Sequence, residues 1–360
     1  MSRRRITTPT QSGTQDLDHQ GRALLSEGDL EVIDALQVNA RASWTQLGNA
    51  LEVDPVTVAR RWHRLHDSGE AWVTAALGQR QLHSMSLAFL ELDCEAGASV
   101  EVAETLVDAG HLISVQHMAG SYDLWAIAVT ASLPSLADEI LTGLPQRPGI
   151  RKVRTHMATR VFDASRRWRL HMLSRRVVSA LAPEPRPAGS TRPMDDLDRR
   201  LFTALSVDGR ATYSELSEKV DVSARSVQRR IGRLVATGDI DFRCDLARSL
   251  AGWPTSAILW ITMPDSLLES TGQALLRWPQ TRTCAALAGP NNMLLTVALH
   301  SASELHELVS RLIDEFPHIR IADRQLVLRQ SKLYGRVLDS SGRWVRTAVV
   351  DPWNAGSSAI

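Results

Sequence analysis

At 360 residues, 44% of them apolar, the chain is long enough for about two to four domains with real cores, and no run approaches the roughly 18 apolar residues of a membrane span. The 41 Lys and Arg stand against 40 Asp and Glu, and the formal charge of +1 confines any nucleic-acid surface to a local patch. The three cysteines, Cys94, Cys244 and Cys284, are odd in number, widely spaced and without a metal-ligand pattern, which reads as reduced thiols in a cytoplasmic protein with no metal site and no cofactor.

Residues 1–28 are polar and turn-rich and read as a disordered arm. Met1-Ser2-Arg3-Arg4-Arg5 runs into Thr, Pro, Gln and Asp instead of an apolar core, unlike a signal peptide. Arg3 to Arg5 read as part of a frayed tail. Residues 29–80 carry three short helical patterns. Val32, Ile33 and Leu36 make one apolar stripe. Ser43-Trp44-Thr45-Gln46 is a capping box that opens a second helix. Asp54-Pro55 offers an N-cap and a proline at the first position of a third. In that third helix Val58, Trp62 and Leu65 form the stripe, with Arg60, Arg61, His63 and Arg64 outside it.

Residues 85–161 then alternate strands and helices. Ala88, Leu90 and Leu92 alternate in a strand, and a helix runs from about Ser99 to Ala109. Leu112 to Ala119 and Leu124 to Thr130 are strands around the Gly120-Ser121-Tyr122-Asp123 turn. Leu133 to Leu144 reads as helix and Ile150 to Arg160 as the last strand. The order βαββαβ is that of a ferredoxin-like sandwich, with helices on one face of an antiparallel sheet. Trp125, Ile127 and Val129 take one sheet face while Leu124, Ala126 and Ala128 take the other, so the second face requires a partner. Residues 162–193 form a linker, first rich in Arg and Trp and read as a solvated helix, then stiffened by Pro183, Pro185, Pro187 and Pro193.

From residue 194 the pattern repeats. Leu197, Leu201, Phe202 and Leu205 form an amphipathic segment, and Thr212-Tyr213-Ser214-Glu215 is a capping box. Ser223 caps a helix whose apolar back is Val227, Ile231 and Leu234 and whose other faces carry Arg225, Arg229, Arg230 and Arg233. Three short helices ending in a basic one, in 29–80 and again in 194–248, describe a helix-turn-helix, and Arg on the last helix suits guanine edges and phosphates in a major groove. Residues 254–330 repeat the strands and helices: Ser256 to Met263, Leu267 to Arg277, Thr281 to Ala288, Met293 to His300, Ala302 to Glu315 and Ile319 to Arg329. Residues 335–360 read as a loosely structured tail.

The two halves are copies. Leu36 and Leu205, Arg41 and Arg210, Val58 and Val227, Arg60 and Arg229, Gly120 and Gly289, and Ile150 and Ile319 all stand 169 positions apart, with no gap. A unit of about 135 residues has been duplicated. The fold class expected is α+β, with two winged helix-turn-helix domains alternating with two ferredoxin-like βαββαβ domains, and the sister copy is the nearest cover for each open sheet face.

Each copy resembles the Lrp/AsnC (feast/famine) family of bacterial and archaeal regulators. The second copy carries the likeness best, through Asp208-Gly209-Arg210, Val222-Ser223, Arg229-Arg230-Ile231 and Gly238-Asp239-Ile240; the first has Asn39-Ala40-Arg41 and Glu70-Ala71-Trp72 at the matching places. The likeness spans about three-quarters of the chain. It implies a DNA-binding transcription regulator whose sheet domains dimerise and sense a small molecule, often an amino acid, here as a covalent pseudo-dimer that further oligomerises. Thr57, Arg60, Arg61, Arg64, Arg225, Ser226, Arg229, Arg230 and Arg233 are the expected DNA contacts. The resemblance places the effector at the turn between the second and third strands of each sheet domain: Gly120, Tyr122 and Asp123, and in the second copy Gly289 and Asn292, where a neutral amide replaces the acid. Gly120 serves equally as a tight turn that needs a positive φ.

No Walker loop, Gly-x-Ser-x-Gly elbow or His-Glu-x-x-His occurs. Two alternatives remain open: a sirohaem decarboxylase, since those enzymes resemble this fold and use histidine and arginine (here His117, Arg151 and Arg154), and an effector-sensing module without DNA binding.

Overall fold

A computed structural model of the chain describes residues 24–164, 168–183 and 191–354. The arm through residue 23, Arg166 and Arg167, and most of the Pro-rich spacer lie outside the described residues.

The first three helices are α1 (Glu27–Val38), α2 (Trp44–Leu51) and α3 (Pro55–Asp67), followed by strand β1 (Ala71–Leu77). The sequence caps are the structural caps. Ser43 and Gln46 exchange both capping-box bonds, and Asp54 accepts from Val56 N and Thr57 N at the start of α3. The core of this domain is Val32, Ile33, Leu36, Leu47, Val58, Trp62 and Leu65, all buried. A short helix α4 (Gln79–Ser84) leads into β2 (Ser86–Cys94), α5 (Ser99–Leu106), β3 (Leu112–Ala119), β4 (Leu124–Thr130), α6 (Leu133–Asp138) and β5 (Ile150–Ala164). The helix expected to reach Leu144 widens after Asp138 into a π turn over Glu139–Gly143. There the buried Glu139 carboxylate faces His111 and Arg147.

The second half repeats the order: α7 (Arg175–Leu181) in the connection, then α8 (Asp196–Val207), α9 (Tyr213–Val220), α10 (Ala224–Ala236), β6 (Ile240–Leu246), β7 (Thr255–Thr262), α11 (Leu268–Leu275), β8 (Thr281–Leu287), β9 (Met293–Leu299), α12 (Glu304–Glu315) and β10 (Arg320–Leu333).

The two sheets share their edges. In strand order β3-β4-β2-β5-β8-β9-β7-β10 every neighbour is antiparallel, and β10 closes the ring onto β3. This is why β5 and β10 outrun the strands read from the sequence. The first part of β5 pairs with β2 of its own copy and the rest with β8 of the other. Likewise β10 pairs with β7 and then crosses to β3. The two-faced apolar pattern is thereby satisfied. Phe89, Trp125 and Ile127 meet Ile258, Trp260 and Leu294 inside the closed sheet, while Leu90, Leu124 and Ala126 pack outward on α5 and α6, and Leu259, Ile261 and Leu295 on α11 and α12.

The helical domains are also exchanged. β1 and β6 pair with each other in a two-stranded ribbon, β1 packing on α8 and β6 on α1. Arg41 donates to Gly209 O (2.6 Å) and Ala211 O (2.9 Å), and Arg210 donates to Ala40 O (2.6 Å) and Ala42 O (2.9 Å). Arg210 also lies 4.0 Å over the Trp44 ring. Burial and the neighbouring Arg41 charge push the Arg210 pKa down to about 10.

Two segments are more ordered than the sequence suggests. The stretch expected as a solvated linker docks: Trp168 and Leu181 enter the first helical core, and Arg169 holds the buried Asp34 by two bonds of 2.9 and 3.0 Å. The tail expected to be loose forms β11 (Arg336–Leu338) and β12 (Trp344–Thr347) and is tied by backbone bonds from Trp344 N to Gly69 O and Asp351 N to Gly110 O. Buried Arg336 donates to Ser206 O and Val207 O. Neither segment has the repeated apolar spacing by which an element is recognised; isolated Trp and Arg side chains do the anchoring.

Replacing Arg210 with Ala strands the Ala40 and Ala42 carbonyls between the two helical domains. A loss of about 2–3 kcal/mol in urea unfolding is expected, and an unchanged midpoint would show that this reciprocal pair holds nothing.

Candidate functional site

The basic faces of α3 and α10 divide on inspection of their partners. Arg60, Arg225 and Arg229 are exposed, and no carboxylate within ion-pair distance is recorded for them among the described residues. Arg61 is half-buried against α1, where a side chain on Gly28 would meet its guanidinium. Thr57 and Ser226 are half-buried near the N-termini of their helices, and Ser223 Oγ donates to Ser226 Oγ at 3.1 Å.

Arg64, Arg230 and Arg233 have other work. Arg64 bridges Asp29 (2.5 Å) and Glu70 (3.5 Å), with its side chain still 53% exposed. At the equivalent place in the second copy, Arg233 bonds Asp198 at 2.5 Å and faces Asp239, and is only 15% exposed. Arg230 donates to Asp195 and to Asp198, both at 2.9 Å. Arg192 adds a third guanidinium to Asp198, and Arg80 reaches Asp239. Asp29 and Asp198, and Glu70 and Asp239, stand 169 positions apart, so the carboxylate frame of each basic helix is part of the duplicated unit. Burial opposes ionisation of Asp195, but hydrogen bonds from Arg230 and the Asp198 backbone win and hold its pKa at about 2.

The two turns expected to hold effector share one structural bond. Asp123 Oδ2 accepts from Cys94 N at 2.7 Å, and Asn292 Oδ1 accepts from Met263 N at 3.0 Å, the same pair of positions in each copy. One role of the acid is thus to lace the turn to the strand opposite, which an amide fulfils equally. Gly120 and Gly289 have φ of +150° and +139°; at Gly120 a Cβ would meet the Gln325 side chain. Tyr122 is buried, and its hydroxyl accepts from Trp260 Nε1 at 3.3 Å.

Beside Tyr122 the structure assembles a group that sequence reasoning missed but for one member. Arg154 Nε donates to Glu91 (2.7 Å) and its terminal nitrogens to Asp93 (2.8 and 2.9 Å). His156 sits 3.3 Å from Glu91 and its ring centroid 4.2 Å from that of Trp260. Burial would raise the Glu91 pKa, but bonds from His156 and Arg154 lower it. The 169-residue register carried the signal: Trp260, Asp323 and Gln325 stand where the first copy has Glu91, Arg154 and His156. Of the remaining candidates, Arg151 is exposed, and His117 Nε2 lies 3.1 Å from Ser331 Oγ with its pKa lowered by burial and then by Arg329.

The AsnC-type helix-turn-helix domain matches residues 25–66 and 194–235, and the Lrp/AsnC ligand binding domain matches 87–168 and 256–337. The chain belongs to the Lrp/AsnC family. Its likeness to the HTH-type transcriptional regulator Rv2324 of Mycobacterium tuberculosis is 30% over 125 residues, 33% of this chain and 82% of the relative. To the regulator LrpA of the same organism it is 32% over 121 residues, 33% and 81%. One such relative therefore corresponds to a single copy of the duplicated unit. Among solved structures, the siroheme decarboxylase NirDL superposes with a TM-score of 0.58 at 10% identity, over 88% of this chain and 94% of that one, a likeness of fold alone. With two helix-turn-helix and two ligand-binding domains, this Lrp/AsnC protein is a DNA-binding, effector-responsive transcription regulator, with both halves of a pseudo-dimer on one chain.

Two outcomes follow from the carboxylate frame. Asp198→Ala leaves three guanidiniums facing a vacated buried position and should cost about 3–5 kcal/mol in urea unfolding. Asp195, whose folded pKa lies below the unfolded value of about 3.9, contributes stability that is complete above pH ~4 and is lost as pH falls towards ~2. Asp195→Asn should unfold with a visibly shallower pH dependence than the parent chain across that window.

Proposed function

We propose that Arg60, Arg225 and Arg229 make the principal DNA contacts, with Arg61, Thr57 and Ser226 beside them, and that Arg64, Arg230 and Arg233 orient the basic helices instead of gripping the duplex. The observation that carries this reading is the division just described: equivalent arginines are exposed at positions 60 and 229, while those at 64 and 233 are tied to an acidic frame. The β1–β6 ribbon and the reciprocal Arg41 and Arg210 bonds hold the two helices at one separation, which suits half-sites at fixed spacing. His63 and Gly232, and Thr57 and Ser226, differ between the copies, so the half-sites are unlike each other. The protein acts in the cytoplasm, as a regulator and not as an enzyme, and assembles further through copies of itself.

The effector reading favours the first copy. There the Gly120-Ser121-Tyr122-Asp123 turn lies beside Glu91, Arg154 and His156, charges suited to a zwitterion such as an amino acid. The second copy has neutral Asn291 and Asn292 in the turn and binds no amino acid there. A decarboxylase reading is disfavoured by the size of the cavities within the closed sheet, about 30 Å³ each.

A salt-dependent gel shift on fragments from the gene's own neighbourhood tests the DNA interface. Arg60→Ala, Arg225→Ala and Arg229→Ala should each weaken binding and reduce the salt slope by about 1. Arg233→Ala should lower thermal stability first. Unchanged affinity and slope in all three exposed-arginine variants, or a palindromic footprint with equal half-sites, would remove this assignment.

A further inference from the structure

The outward stripes of the two basic helices carry different chemistry. In α3, Val56, Ala59, Arg60 and His63 stand at i, i+3, i+4 and i+7 and so share one face, opposite the buried Val58, Trp62 and Leu65. In α10 the same places, 169 positions on, are held by Arg225, Gln228, Arg229 and Gly232, opposite the buried Val227, Ile231 and Leu234. Val56 is 75% exposed, with the half-buried Ala59 one turn on and the exposed Arg60 and His63 completing the stripe. Arg225, Gln228 and Arg229 are all exposed, and their side chains make no hydrogen bond among the described residues. Of the four places only that of Arg60 and Arg229 keeps its chemistry.

Both stripes begin at the second residue of the helix, Val56 after Pro55 and Arg225 after Ala224. The N-terminal residues of a recognition helix are the ones that reach base edges. An isopropyl group neither donates nor accepts a hydrogen bond, and the feature of the major groove that it suits is the thymine methyl. Set against a guanine edge or a cytosine amine, it would strip water from polar groups and return no bond. Ala59 adds a second methyl to the same apolar surface. Arg225 instead offers the fork that matches guanine O6 and N7, and Gln228 the amide that matches adenine N6 and N7. A lone exposed valine is ordinary on a protein surface; here it replaces a guanidinium at the leading position of an otherwise equivalent basic helix.

We infer that Val56 and Arg225 set the base preference of the two half-sites: α3, through Val56 and Ala59, selects thymine where α10, through Arg225 and Gln228, selects guanine and an adjoining adenine. The inference rests on the reading of α3 and α10 as the DNA interface. The bonds of Arg64 to Asp29 and of Arg233 to Asp198 hold each helix from its flank, so the outward stripe is free to change without disturbing how the helix is seated. A guanidinium in the groove still displaces counterions, so salt dependence reports its charge and base preference reports what it faces.

Selection of bound duplexes from a random pool by the full chain, followed by gel shifts with altered bases in one half-site at a time, tests the inference. Uracil in place of thymine removes only the methyl; in the α3 half it should weaken the parent chain about fivefold, a loss of ~1 kcal/mol, and leave Val56→Ala unaffected. Replacing guanine by 7-deazaguanine, which lacks the N7 acceptor, should weaken the parent about tenfold in the α10 half and leave Arg225→Ala unaffected. Val56→Arg changes an exposed side chain to the one α10 already carries, so it should melt with the parent and select guanine in place of thymine in the first half-site. Identical selected half-sites, a parent chain insensitive to uracil in both halves, or a Val56→Arg variant that selects the parent's sequence would overturn this inference and leave the DNA interface standing. A parent chain that retains no duplex would remove the interface and the inference together.

Discussion

Each sheet domain has an apolar inner face that its own copy leaves uncovered, and the fold turns on burying it against the sister copy. Once Phe89, Trp125 and Ile127 have to meet Ile258, Trp260 and Leu294, the sheet edges come together as well. β5 and β10 then run on to pair with the other half. Edge pairing removes the exposed strand backbone that would invite association elsewhere. It also fixes where each helical domain emerges, because β1 and β6, one from each copy, pair and each packs on the other copy's first helix. The distance between α3 and α10 is thus a property of the core, transmitted through a ribbon and two arginines.

Much of this was legible as pattern. The capping boxes at Ser43 and Thr212, the stripes of α3 and α10 and the split of Trp125 from Leu124 across the sheet are local signals, and local signals survive in a sequence because they act over three or four residues. The duplication, read from gapless spacing, correctly made the sister copy the missing cover. What pattern did not give were contacts between residues far apart in the chain. Nothing near Arg230 or Arg233 in sequence announces that Asp195 and Asp198 complete them. An arginine held by a buried carboxylate and one reaching for solvent look alike in one dimension. Asp123 illustrates the same limit: its acid character suggested a ligand, yet its bond to Cys94 N is made equally well by Asn292 to Met263 N.

The pseudo-symmetry separates what the fold needs from what it tolerates. Positions that hold the frame stayed alike in chemistry: Arg41 and Arg210, Asp29 and Asp198, Gly120 and Gly289, Glu70 and Asp239. Several positions that diverged lie on the closed sheet. Glu91, Arg154 and His156 face Trp260, Asp323 and Gln325 of the other copy, and the Leu87, Ile113 and Val161 cavity answers to Ser256, Arg282 and Gln330.

That divergence is closed to a dimer of identical subunits. In a dimer of identical subunits, a substitution placing arginine in the interior appears twice, and the desolvation cost of each buried cation doubles within one closed sheet. With both copies on one polypeptide, the apolar cavity keeps the hydrophobic contacts that stabilise the closure while its counterpart is lined by Ser256, Arg282, Thr296 and Gln330. The stabilising and the polar roles are divided between halves that keep the same order of strands and helices. The same logic reaches α3 and α10, where His63 and Gly232, and Thr57 and Ser226, differ. An asymmetric interior joined through β6 to an asymmetric pair of helices is an arrangement closed to any strictly two-fold assembly.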